Sequence, residues 1–170
     1  MSDDQQQNQS VETADLRILI IDHSQEMRQL IRDMLARMGI RRVSEARGVE
    51  PAQEIIQENR IHVVLVDWDL EPNTGLDVVK LLRDRDKSPN PFVPIIMLTG
   101  IADKDRVLQS RDAGVNEFLL KPLSSKMLYD RIHAAANAAR PFVEAKQYFG
   151  PDRRRKTPAG YQGPKRRTGD

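Results

Sequence analysis

Val63-Val64-Leu65-Val66-Asp67 is an unbroken apolar run closed by a carboxylate. A short run rich in β-branched residues, without polar alternation, reads as a strand buried on both faces. Three other segments repeat the design. Leu16-Arg17-Ile18-Leu19-Ile20-Ile21 runs into Asp22, Pro94-Ile95-Ile96-Met97-Leu98 into Thr99, and Glu117-Phe118-Leu119-Leu120 into Lys121-Pro122. Helical patterns separate the four, which makes the sheet parallel and collects their polar ends along its carboxyl edge. Open α/β sheets bind ligands at that edge. Two carboxylates, a hydroxyl and a lysine gathered there form a set able to hold a metal ion and a phosphoryl group.

The intervening segments have helical periodicity. Met27, Leu30, Ile31, Met34, Leu35 and Met38 fall on one face of a helix capped by Ser24 and ended by Gly39. A short strand is predicted near Arg42 to Ala46, and a helix opened by Pro51 carries Ala52, Ile55 and Ile56. Leu76, Val79 and Leu82 mark the next helix, Asp103 caps another that Gly114 stops, and a last helix runs from about Ser125 to Ala139. The sum is five βα units, (βα)5, with right-handed crossovers placing helices on both faces of one sheet: a doubly wound α/β fold.

The chain has 170 residues, 39% of them hydrophobic, enough for one domain with ends. It has no cysteine, which excludes disulfide and thiolate chemistry. It shows no Gly-rich phosphate loop, which argues against nucleotide binding. The polar start MSDDQQQNQSVETAD is unlike a signal peptide, and no apolar run reaches transmembrane length, so a cytoplasmic protein without a membrane span is expected. The net charge of +2 conceals an asymmetry. Residues 146–170 carry eight bases against two acids, so the remaining chain is net acidic. Within this tail Tyr148-Phe149-Gly150-Pro151-Asp152-Arg153-Arg154-Arg155 is echoed by Tyr161-Gln162-Gly163-Pro164-Lys165-Arg166-Arg167. Gly-Pro is expected to prevent regular helix or strand there. The predicted organisation is a disordered segment 1–14, a domain 15–140, and a basic tail 141–170, extended or flexible.

The segments ILIIDHSQEMRQLI, VVLVDWDLEPNTGLDVVKLLR, VPIIMLTG and AGVNEFLLKPL, in this order and spacing, resemble the receiver domain of two-component response regulators, close to the stand-alone chemotaxis type. The resemblance implies a flavodoxin-like sheet of strand order 2-1-3-4-5 and a Mg²⁺-dependent phosphorylation switch. Asp67 resembles the phosphoacceptor, which takes a phosphoryl group from a histidine kinase or phosphotransfer protein as an acyl phosphate. Asp22 resembles an acid that holds Mg²⁺ with Asp67 and the backbone carbonyl of Asp69. Lys121 resembles the lysine that pairs with a phosphoryl oxygen, before a cis proline bond. Thr99 resembles the hydroxyl, and Phe118 the aromatic ring, that reset the face of helix four, strand five and helix five for a downstream partner. Kinase recognition in this family lies on helix one, around Gln25 to Met34. Asp69, two residues after the phosphoacceptor, occupies a place that tunes dephosphorylation, with the sign left open.

His23 departs from the pattern, since the family usually has a second metal-binding acid there. Imidazole is a poor Mg²⁺ ligand. Three outcomes stand: weaker Mg²⁺ binding through Asp22, Asp67, a carbonyl and water; preference for a softer ion such as Mn²⁺; or signalling without efficient phosphorylation. The first is preferred. The rival functions are a phosphorylation-independent pseudo-receiver scaffold, motivated by His23, and nucleic-acid binding through the basic tail. The tail is also a candidate docking segment for an acidic partner, including the domain's own acidic face.

Overall fold

The computed structural model describes residues 11–137 and 140–154. The predicted disorder of residues 1–10, the end of the last helix and the second tail repeat lie outside the described residues. Five parallel strands form one sheet: β1 (Arg17–Ile21), β2 (Arg42–Ala46), β3 (Val63–Asp67), β4 (Ile95–Thr99) and β5 (Glu117–Leu120), in the order β2-β1-β3-β4-β5. Five helices separate or follow them: α1 (Gln25–Arg37), α2 (Val49–Glu58), α3 (Gly75–Arg83), α4 (Lys104–Ala113) and α5 (Ser125–Asn137). The expected topology is the observed one.

Alternation along each strand divides the core. Ile18 and Ile20 join Leu65, Ile96, Leu98 and Leu119 beneath Ile31 and Leu35 of α1 and Leu128 and Ile132 of α5. Leu19 and Ile21 join Val64, Val66, Ile95 and Met97 beneath Ala52 of α2 and Val78, Val79 and Leu82 of α3. Each such side chain removed from water stabilises the fold by about 1.5–3 kcal/mol. By contrast α4 buries only Ser110.

The caps hold as expected: Ser24 accepts from the Met27 amide, Asp103 accepts from the Arg106 amide, and Gly114 ends α4 with φ +100°. Four expectations need correction. Leu30 is 45% exposed. It sits at the border of the apolar stripe among Gln25, Glu26, Gln29 and Asp33, where the stripe turns away from the sheet. The second helix starts at Val49, two residues before Pro51, because Gly48 serves as its N-cap. Residues 11–14 are not patternless: Thr13–Asp15 form a 3-10 turn and Val11 packs on the core.

The tail departs most. Gly150 and Pro151 lie within a strand: β6 (Phe142–Ala145) and β7 (Tyr148–Pro151) form an antiparallel hairpin. Gly-Pro is tolerated because Pro151 ends its strand in a two-stranded ladder, where a missing amide costs little. The hairpin docks by aromatic and backbone contact. The Phe142 and Phe149 rings lie 5.0 and 5.3 Å from Phe92, edge on. Phe142 also covers Arg83, whose guanidinium carbon is 5.0 Å from the ring centroid. Arg83 is 6% exposed and has no carboxylate partner among the described residues; it donates to the carbonyls of Gly114, Pro91 and Val93 and to Asn116 Oδ1. Burial pulls its pKa down to about 9, which leaves it charged at neutral pH.

At Gly150 a Cβ would stand 2.8 Å from the Gly114 Cα, so two backbones touch there. Gly150→Ala is expected to undock the hairpin at a cost of about 1–3 kcal/mol, the range for overpacking. The check is amide hydrogen exchange together with the urea midpoint. Loss of protection confined at first to residues 142–151 and a lower midpoint are expected; unchanged exchange would refute the tight contact.

Candidate functional site

The carboxyl ends of β1, β3 and β5 deliver Asp22, Asp67 and Lys121 to one place, as parallel strands in register must. Asp22 and Asp67 are 1% and 3% exposed. Lys121 Nζ bridges them, 2.9 Å from Asp67 Oδ1 and 3.3 Å from Asp22 Oδ2. The Lys121–Pro122 bond is cis, as the resemblance implies, and so is Glu71–Pro72. Helix α3 begins hard against the site: the Gly75 amide donates to the Trp68 carbonyl, and a Cβ on Gly75 would collide with the Asp67 carbonyl oxygen. Glycine is therefore required where the helix meets the strand end.

Burial raises the Asp67 pKa. The hydrogen bond from Lys121 opposes that shift, and the Asp22 and Asp69 carboxylates add to it. Burial pulls the other way on Lys121, but pairing with Asp67 and Asp22 outweighs it and its pKa is raised. Both values rise, Asp67 because burial and neighbouring carboxylates outweigh the Lys121 bond, and Lys121 because it faces two partners of opposite charge.

Asp22, His23 and Asp67 offer ligand atoms within 4.8 Å of one another. His23 Nδ1 lies 3.8 Å from an oxygen of each aspartate and 2.9 Å from the Asp69 carbonyl oxygen. A carbonyl oxygen can only accept, so Nδ1 carries the hydrogen in that bond. The oxygen set of Asp22, Asp67 and the Asp69 carbonyl fits a hard divalent cation. His23 competes for one of those oxygens, with a side chain that is 53% exposed.

Thr99 ends β4, the strand beside Asp67. Its hydroxyl donates to the Ile101 carbonyl and accepts from the Ile101 amide and from Arg106 Nη1 at 3.0 Å. Phe118, opposite Met97 on β5, is partly buried and lies outside the charged cluster, on the wall of a cleft shared with Val107 and Arg131. Trp68 is buried, with the Arg106 guanidinium 4.9 Å from its ring centroid. Arg106 is the site residue that sequence reasoning missed. It lies on a helix without an apolar stripe, so its reach to Thr99 and Asp69 leaves no periodic signal; its place three residues after a cap was the only pointer.

The response regulator receiver domain family matches residues 18–133. Chemotaxis protein CheY1 of Helicobacter pylori is 32% identical over 118 residues, covering 69% of this chain and 94% of that relative. Chemotaxis protein CheY of Pseudomonas aeruginosa is 26% identical over 117 residues, covering 69% of this chain and 93% of its own. Among solved structures, chemotaxis protein CheY4 of Vibrio cholerae superposes with a TM-score of 0.65 at 25% identity, covering 71% of this chain and 98% of that one. Topology, strand-end chemistry and sequence agree: the chain belongs to the response regulator receiver domain family, with regulators of the chemotaxis type among its relatives.

Proposed function

We propose that this protein is a cytoplasmic phosphoacceptor switch in which Asp67 takes a phosphoryl group from a histidine kinase or phosphotransfer protein. The observation that carries the proposal is the Lys121 ammonium held between two buried carboxylates, 2.9 Å from Asp67 Oδ1. Phosphoryl transfer needs in-line placement and neutralised oxygens more than covalent catalysis. An Asp67 carboxylate oxygen attacks phosphorus; the P–N bond of a phosphohistidine, or the P–O bond of a small acyl phosphate, breaks, and the electron pair leaves with the donor. Lys121 then meets the added negative charge. A Mg²⁺ ion held by Asp22, Asp67 and the Asp69 carbonyl would neutralise phosphoryl oxygens there. The His23 bond to that carbonyl competes with a metal for the same oxygen, which supports weak Mg²⁺ binding.

The protein is a switch and a substrate rather than a turnover enzyme. On phosphorylation Thr99 and Phe118 change the α4-β5-α5 face and hence partner binding. Leu30, exposed on α1, is a natural contact for the kinase side of the exchange. The receiver occupies residues 15–140. Arg153 of the tail pairs with Asp112 of α4 at 3.2 Å, which supports docking of the tail on the domain's own acidic groups. The pseudo-receiver scaffold remains the second reading, favoured by the His23 bond to Asp69.

Incubation with acetyl phosphate and Mg²⁺ is expected to add one phosphoryl group to the wild type and none to Asp67→Ala, read by intact-protein mass. No adduct on the wild type at high Mg²⁺ or with Mn²⁺ would favour the scaffold. His23→Asp should lower the Mg²⁺ concentration for half-maximal phosphorylation by about tenfold, the scale on which groups around a metal alter affinity; an unchanged requirement would exonerate His23. Because the folded state raises the Asp67 pKa, ionised Asp67 destabilises the fold above the ordinary carboxylate range, and that penalty fades as pH falls through it. Asp67→Asn should therefore raise the urea midpoint at pH 7, with the gain shrinking toward pH about 4. An equal gain at both pH values would contradict the raised pKa.

A further inference from the structure

Arg106 stands in the first turn of α4, and its side chain is 18% exposed. The Trp68 ring covers one side of its guanidinium. Nη1 donates to Thr99 Oγ1 at 3.0 Å, and Nη1 and Nη2 approach Asp69 Oδ2 and Oδ1 at 3.4 and 3.5 Å, a fork facing both oxygens of one carboxylate. Nε lies 3.8 Å from Asp103 Oδ2, the cap of the same helix. One cation thus ties the end of β4, the turn after Asp67 and the start of α4. A guanidinium fork on a carboxylate fixes orientation as well as charge, which an ammonium cannot do.

We propose that Arg106 is a positioning residue for the phosphoryl chemistry at Asp67, acting through Asp69 to set the lifetime of the acyl phosphate. The proposal rests on Asp67 being the phosphoacceptor. Hydrolysis requires water oxygen to attack phosphorus while the acyl P–O bond breaks and its electron pair returns to Asp67. Inorganic phosphate leaves, and the proton lost by water goes to a base. Asp69, two residues along, is a carboxylate of the right kind to take that proton. Held by Arg106, its oxygens are turned to the guanidinium and its charge is compensated. It then neither accepts from water nor repels an incoming anionic donor. Arg106 also donates to the Thr99 oxygen, while the Thr99 hydrogen goes to the Ile101 carbonyl, the bond that Thr99 gives up to donate to a phosphoryl oxygen. Trp68 supplies the flat support that keeps the fork in plane.

The test uses the full chain, phosphorylated with acetyl phosphate and Mg²⁺ and then freed of donor, with adduct decay followed by intact mass. Arg106→Ala is expected to shorten the half-life about tenfold, below the range for a fully positioned base. Arg106→Lys should recover only part of it, because it restores charge without the fork. In an Asp69→Asn background, adding Arg106→Ala should leave the decay unchanged. A merely structural Arg106 would instead accelerate decay equally with Asp69 or Asn at that position, which overturns the proposal. An equal half-life for wild type and Arg106→Ala overturns it as well, while leaving the phosphoacceptor assignment intact. Absence of any adduct on the wild type overturns both.

Discussion

Two carboxylates buried side by side at the end of a parallel sheet are the constraint on which the structure depends. Neither Asp22 nor Asp67 has appreciable access to water, and like charges so placed repel. The sheet can bear them only because β5 ends in a lysine that reaches both. Every element around them serves that arrangement. The apolar strands fix three chain ends to within hydrogen-bond distance, and Gly75 lets α3 start against the Asp67 backbone. The Asp22 side chain accepts from the Ser24 amide, and Arg28 donates to the Asp22 carbonyl, which fixes the turn into α1. The same repulsion that burdens the fold makes the place attractive to cations, so the cost in stability and the capacity for chemistry have one origin.

The cationic side of the site is less symmetrical. Lys121 faces the buried pair, whereas Arg106 faces Asp69 and Thr99 from a helix that contributes almost nothing to the core. A helix held mainly by polar contacts at its ends can change its setting at small energetic cost. Its first turn touches the chemistry, and its last residues touch the tail through Gly114 and Asp112. The cleft beside Phe118 lies between it and α5.

Strand positions and strand-end residues were legible because buried parallel strands leave a clear signature, an apolar run with a polar stop, whereas the strand order came from the family resemblance. Asp22, Asp67 and Lys121 were found that way, and their convergence follows from register alone. Thr99 was placed correctly on its strand, but its engagement by Arg106 was not readable, since a long side chain on a polar helix carries no period. Leu30 satisfied the helical spacing and still faces outward, because it stands at the edge of the stripe among polar neighbours. The hairpin was missed for a different reason. Gly-Pro was weighed as local chemistry, whereas aromatic contacts among Phe92, Phe142 and Phe149, far apart in sequence, decided the outcome.

The meeting of Gly114 with Gly150 binds two parts of the chain that sequence comparison treats separately. Gly114 lies within the matched stretch of residues 18–133, and Gly150 lies beyond it. Within the matched stretch Gly114 has one duty, to end α4 with a left-handed residue. In this molecule it has a second, to leave room for another backbone. The neighbour that fills this room lies outside the matched stretch, so the family module and the physical body of the protein have different borders.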